Sequence, residues 1–118
     1  MVIKIKDFYA HCESNPCLLW EAWANSAKSQ IVVHRHIKWA CTPGDYWVLA
    51  HRNSGRCIKS WCFTYETRKA ALFAARKIEK IFAWETMGRS IDAYSKPKGW
   101  CDRRMQIVSN KIDRILSC

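Results

Sequence analysis

The sequence predicts a single α+β domain, in which a three-stranded antiparallel β-meander over about residues 31–64 stands between two N-terminal and two C-terminal helices. Residues 31–64 contain runs rich in β-branched and aromatic residues, separated by short turn signals. On both sides of that region, helix-capping residues precede apolar residues at helical spacing. A length of 118 residues fits one domain with one core.

Two helices are expected before the sheet. Asp7 is suited to cap the first, which is short. Asn15 followed by Pro16 is typical of an N-cap and a first helical position, so a second helix is expected over about residues 16–28. The apolar residues that this helix would bury are Leu19, Ala22 and Trp23.

The three strands are expected in "IVVHRHIKWA", "YWVLAHR" and "RCIKSWCFT", with turns at "TPGD" and "NSG". Alternation in the first strand gives two mixed faces. One face carries Ile31, Val33, Arg35, Ile37 and Trp39, and the other carries Val32, His34, His36 and Lys38. The pattern therefore does not decide which face the helices cover.

Two helices are expected after the sheet. Thr67 is suited to cap the longest helix, which is predicted to continue to about Thr86. The apolar residues of its inner face include Ala71, Ala74, Ala75 and Ile78. A last helix is predicted over about residues 100–117.

Composition restricts the compartment. The seven cysteines are an odd number, and the N-terminal residues do not resemble a secretory signal. Free thiols in the reducing cytoplasm are therefore expected. The sequence has no run of about 18 apolar residues, so we expect no membrane-spanning helix.

Positive charge is concentrated in the middle of the chain. The net charge is +10 overall, and residues 31–80 carry ten Lys and Arg against three Asp and Glu. Such an asymmetry indicates a polyanion or an acidic protein surface as partner. The alternative is a soluble basic protein with a solvated charged face.

Metal and catalytic chemistry receive little support. His34 and His36 would share a strand face, but the spacings from Cys12 to Cys17 and from Cys57 to Cys62 only approach a zinc knuckle. A structural zinc site remains the alternative to strand histidines and buried cysteines. The sequence contains no phosphate-binding glycine loop, nucleophile elbow or metalloprotease motif. We therefore expect no enzyme, cofactor, metal or small-molecule substrate.

Nucleic-acid binding is the function that the sequence favours. Cations on adjoining strands and on the long helix would contact phosphates and release counterions. The predicted contact residues are His34, His36, Lys38, Arg52, Arg56, Lys59, Lys69, Arg76 and Lys80. For the three helical residues, a merely solvated face is an equally good interpretation.

Residues 44–82 resemble two kinds of nucleic-acid-binding domain. The hairpin "NSGR", Phe63 and the pair Ala70-Ala71 resemble AP2-type and phage-integrase arm-type domains, which pair a three-stranded sheet with one helix. The segment "TRKAALFAA" after the strands is similar to the double-stranded-RNA-binding fold. The first resemblance implies that the sheet reads DNA through Arg52, Arg56 and Lys59.

A protein-binding role is the competing hypothesis. Small tryptophan-rich domains without catalytic motifs are common among phage and mobile-element inhibitors, such as anti-restriction and anti-CRISPR proteins. Aromatic and arginine side chains are favoured anchors of protein interfaces, and this chain has both. Such an inhibitor would dock on a host nucleoprotein or nuclease.

Overall fold

Two antiparallel sheets and two C-terminal helices make up a mixed α+β fold. The structure is a computed structural model, and it describes residues 2–12, 15–19, 21–38, 42–52, 55, 57–59, 63–80 and 101–117. The strands are β1 (Ile3–Lys4), β2 (Phe8–Cys12), β3 (Asn15–Leu19), β4 (Ala22–Ala24), β5 (Ile31–Ile37) and β6 (Pro43–His51). The helices are α1 (Arg68–Glu79) and α2 (Asp102–Leu116). One sheet has the order β1-β4-β5-β6, and the other pairs β2 with β3.

The two predicted N-terminal helices are wrong, because the described residues between 3 and 24 contain the four strands β1 to β4 instead. Phe8 and Ala10 are buried whereas Tyr9 between them is exposed, which is the period of two of a half-buried strand. Asp7 has a φ of 55° and occupies the left-handed region, which aspartate tolerates in turns. It therefore precedes a strand and does not cap a helix.

The predicted helix over residues 16–28 is replaced by β3 and β4. Asn15 and Pro16 begin β3, whose register pairs Pro16 with His11 of β2. In β4, Ala22 and Ala24 are buried on one face and Trp23 lies on the other. Burial against the neighbouring strands therefore outweighs the local capping signal.

The first two predicted sheet strands are confirmed as the neighbouring strands β5 and β6, although β6 begins at Pro43, inside the predicted turn "TPGD". Ile31 and Val33 face the helices together with Trp47 and Leu49. A register irregularity between Arg35 and Ile37 shifts the alternation, so Ile37 packs on the opposite face from Ile31 and Val33. The structure thereby settles which face the helices cover.

The predicted third strand does not appear as a regular strand in the described residues between 55 and 67. Only isolated bridges occur there, from Cys57 to Ala50 and from Tyr65 to Trp47. Lys59 has a φ of 53°, which interrupts an extended backbone. The three-stranded meander is wrong, and the sheet reaches four strands through β4 and β1 instead.

The two C-terminal helices are confirmed. Thr67 caps α1, and its hydroxyl accepts a hydrogen bond from the backbone N–H of Ala70 at 3.1 Å. The described part of α1 ends at Glu79, and the predicted extension to Thr86 lies outside the described residues. Helix α2 ends at Leu116, within a residue or two of its predicted end.

Both faces of the four-stranded sheet are covered. One cluster joins β5 and β6 to α1 and α2 through residues such as Ile31, Leu49, Ile78 and Ile112. A second cluster joins the other face to the β2–β3 hairpin through Phe8, Ala10, Ala22, Val32 and Ala50. The fold is therefore a hairpin, a sheet and a helical layer stacked in that order.

Gly44 allows β6 to approach β5 beside the irregularity in β5. A Cβ atom at this position would lie 2.8 Å from His36 Cδ2 and 2.9 Å from the His36 carbonyl oxygen. We expect Gly44→Ala to lower the free energy of unfolding by about 1–3 kcal/mol, because the backbone oxygen must shift. Urea unfolding checks this, with the exposed neighbour Asp45→Ala as control. Equal stability of the two variants would contradict the close approach.

Candidate nucleic-acid interface

His34, one of the predicted contact residues, does not lie on an exposed surface. Its side chain is fully buried, with 0% relative exposure, beneath the β2–β3 hairpin. Nδ1 lies 2.7 Å from the Arg35 carbonyl oxygen, which can only accept, so Nδ1 carries the hydrogen. Nε2 is then the acceptor, 4.0 Å from the Cys57 sulfur.

Burial also removes the charge of His34. Desolvation lowers the pKa of His34 to about 4, and repulsion from His36 adds to this while the hydrogen bond to Arg35 opposes it. His34 is therefore neutral at physiological pH. A neutral, enclosed imidazole can neither pair with a phosphate nor reach one.

His36 and Lys38 lie at the end of β5. His36 is half-buried and stacks on Tyr46, with ring centroids 4.4 Å apart. Lys38 is exposed, and its backbone N–H donates to the Thr42 carbonyl at 2.7 Å. Of the predicted residues on this strand, Lys38 is the one whose charge is fully presented to solvent.

Arg52 is hydrogen-bonded to the turn before β5. Its guanidinium donates to the carbonyl oxygens of Ala27 and Ser29, and its backbone N–H donates to Gln30 at 2.8 Å. These bonds hold the turn against the end of β6. Arg56, which the sequence places beside Arg52 in the contact set, lies outside the described residues.

Lys59, another of the predicted contact residues, is also buried. Its ammonium donates to the Ser109 hydroxyl and lies 3.0 Å from the Asp113 carboxylate. Both partners are on α2, so Lys59 ties the segment after β6 to that helix. Its charge is used inside the fold.

The three predicted helical residues are all exposed on the outer face of α1. Lys69, Arg76 and Lys80 follow one another at spacings of seven and four residues, which places them on one stripe. No carboxylate of the described residues forms an ion pair with any of them. Phe73 lies on the same stripe and is 64% exposed.

Further cations flank this stripe, and the predicted site omits them. They are Arg68 and Lys77 on α1, and Arg103, Arg104, Lys111 and Arg114 on α2. The signal for the α2 group was present in the sequence, because Arg103 and Arg114 lie opposite the apolar residues of the helix such as Ile112, and Arg104 and Lys111 lie on the flank of that apolar stripe. We call the exposed faces of α1 and α2 together the basic helical layer.

Glu79 on α1 and Asp113 on α2 have partners in the segments that pack beneath the helices. Glu79 accepts hydrogen bonds from the backbone N–H groups of Gln30 at 3.3 Å and Ile31 at 3.4 Å. Asp113 pairs with the buried Lys59. Neither carboxylate forms an ion pair with a cation of the outer faces in the described residues, so those cations keep their positive charge exposed.

Helix α1 is fixed to the sheet along its length. At its start, the Arg68 guanidinium lies 4.0 Å from the centroid of the Trp23 ring. In its middle, the Asn25 side-chain amide donates to the Leu72 carbonyl at 3.0 Å. With Glu79 bound at the other end, the outer stripe of α1 has a defined orientation.

The chain matches no protein-family model, no curated protein and no solved structure. Among the described residues, no group of three or more His, Cys, Asp or Glu side chains is arranged to hold a metal ion. The helices in the described ranges are too short or too polar to cross a membrane. The resemblance of residues 44–82 to AP2-like and double-stranded-RNA-binding domains stays a prediction.

Stability should fall as the pH is lowered, because His34 is buried uncharged. An unfolded histidine has a pKa of 6.5 and the folded one about 4, so the unfolded state binds the proton first. The loss begins near pH 6.5 and is complete below pH 4. Between pH 7 and pH 5 we expect about 2 kcal/mol from His34 alone.

Urea unfolding of the wild type and of His34→Gln at pH 7, 6 and 5 measures this contribution. The other titrating groups are the same in both proteins, so they cancel in the difference. The wild type should lose more stability than the variant over this range. Parallel pH profiles would show that His34 is not buried in its neutral form.

Lys59→Met should destabilise the fold although it removes only one charge. The variant keeps the apolar stem of the side chain but leaves Asp113 without its partner. Since the Asp113 side chain is about half exposed and can be rehydrated, we expect a loss of about 1–3 kcal/mol in urea unfolding. The control Lys38→Met, at an exposed site, should change stability by less than about 0.5 kcal/mol.

Proposed function

We propose that this protein is a non-catalytic nucleic-acid-binding module whose contact surface is the basic helical layer. The observation that carries the proposal is the separation of charge in α1 and α2. Cations occupy the outer faces, whereas the carboxylates of Glu79 and Asp113 are engaged by Gln30, Ile31 and Lys59 beneath the helices. Lys69, Arg76 and Lys80 form the centre of the proposed surface.

The physical basis of the proposal is electrostatic. A nucleic acid carries a condensed layer of counterions, and protein cations that replace them gain free energy from their release. The cations available for this exchange are Lys69, Arg76 and Lys80, which form no ion pair with a carboxylate of the described residues. Because α1 is fixed to the sheet at both ends, the backbone positions that carry its cations are already ordered before binding.

The proposal moves the contact surface away from the sheet. Arg52 and Lys59 are bonded to other parts of the fold, and His34 is enclosed. These three residues therefore do not present an unpaired positive charge at the sheet. His36 and Lys38 at the end of β5 serve as a separate test of the sheet hypothesis. The proposed compartment is the cytoplasm, consistent with the free thiols of Cys57 and Cys101.

An acidic protein surface is the second candidate partner, as expected of an inhibitor that docks on a host nucleoprotein or nuclease. The observation that favours it is Ile107 on α2, which is 56% exposed on the same helix as Arg103, Arg104 and Lys111. An apolar centre with a charged rim is typical of protein interfaces. If the wild-type protein binds no nucleic acid at low salt, an acidic protein partner becomes the leading hypothesis.

Charge reversal on α1 should abolish most of the binding. We expect Lys69→Glu/Arg76→Glu/Lys80→Glu to weaken binding of a labelled oligonucleotide by at least roughly tenfold at low salt. The slope of log K against log salt should become less steep by about two to three, since three phosphate contacts are lost. Fluorescence anisotropy at several salt concentrations measures both quantities.

The matched control is Lys4→Glu/Lys6→Glu/Lys38→Glu, which makes the same change in net charge at exposed positions of the sheet and its ends. The control should keep most of the wild-type affinity. A loss equal to that of the α1 variant would show that net charge alone drives binding. A larger loss in the control would favour the sheet end as the contact surface.

A further inference from the structure

Phe73 lies exposed at the centre of the cationic stripe. At 64% exposure it is the most exposed of the large hydrophobic side chains in the described ranges. Lys69 lies one turn before it, and Arg76 and Lys77 lie one turn after it. The stripe therefore combines an aromatic ring with positive charge on both sides.

Packing does not account for this ring. Helix α1 fills its inner face with alanines, Leu72 and Ile78, and Phe73 contributes nothing to that cluster. Burying a phenylalanine side chain is worth about 1.5–3 kcal/mol, and the free protein forgoes most of it here. The surface of this ring is therefore accessible to a bound partner.

The surroundings of the ring suit a flat, polar partner. The Lys77 ammonium lies 5.1 Å from the ring centroid. Side chains in a helix lean towards its N-terminus, which brings the ring over the turn that contains Ala70. Ala70 is exposed and carries only a methyl group, so no large side chain of that residue obstructs the approach.

We infer that α1 binds single-stranded nucleic acid, with an unpaired base stacked on Phe73 and the adjoining phosphates paired with Lys69, Arg76 and Lys80. The inference rests on the proposed function and specifies its substrate class. Every base has a π-face that can stack on an aromatic ring, whereas the bases of a duplex are already stacked on one another. Lys69 and Lys80 are separated by about 16 Å along the helix axis, enough to follow a short stretch of backbone.

The test compares a single-stranded oligonucleotide, the same sequence as a duplex, and an oligomer of abasic sites with the same phosphates. We expect Phe73→Ala to weaken binding of the single strand by about five- to 100-fold, the usual range for losing one stacked base. Binding of the duplex and of the abasic oligomer should change less than twofold. Phe73→Trp should keep the affinity, and its fluorescence should be quenched by the single strand.

Tyr9→Ala is the matched control, because it removes a comparably exposed aromatic side chain from β2, in the hairpin on the opposite side of the sheet from the basic helical layer. It should leave single-strand affinity unchanged, and thermal melting should show that both variants fold. Unchanged affinity of Phe73→Ala, with weak binding by the α1 charge-reversal variant, would overturn the stacking inference and leave the proposed function standing. Absence of binding to any of the three probes at low salt would overturn both.

Discussion

Burial of both faces of the β5–β6 pair is the constraint on which the rest of the structure depends. The helices cover one face and the β2–β3 hairpin covers the other, so β5 and β6 have almost no surface left for a ligand. This explains why His34 is neutral and enclosed. It also means that charge is presented by the outer layers of the fold, of which the helical layer carries the exposed cations of α1 and α2.

The distribution of acidic residues follows from the same stacking. Glu79 is positioned where α1 crosses the first residues of β5, and its carboxylate is used by two backbone amides there. Asp113 is positioned where α2 meets the segment after β6, and it neutralises Lys59. Each carboxylate stabilises a junction between layers, and the positive character of the exposed face is a result of that placement.

Local signals predicted the parts of the fold in which they agree with long-range packing. Thr67 caps α1 as its sequence indicates, and β5 and β6 follow from their β-branched residues. Asn15-Pro16 wrongly indicated a helix start, because pairing with β2 holds that segment as a strand. In β4, the run of residues is too short for a strand alternation to be distinguished from a helical spacing.

The candidate site divides in the same way. Lys69, Arg76 and Lys80 were predictable, because the spacing that buries Ala71, Ala75 and Ile78 places them outside. The environments of His34 and Lys59 were not predictable. That of His34 depends on the β2–β3 hairpin covering the sheet, and that of Lys59 depends on its own left-handed backbone conformation.

The Glu79 contacts couple the sheet to the docking of α1 in a way that hydrogen exchange would report. The amides of Gln30 and Ile31 are bonded to a side chain of a remote helix. Their protons can exchange once the Glu79 carboxylate leaves them, either by rotation of its side chain or by separation of α1 from the sheet, whereas amides inside the β5–β6 ladder require the strands to part. Two neighbouring amides at the start of β5 thus report on the contact with the end of α1, separately from the pairing of β5 with β6.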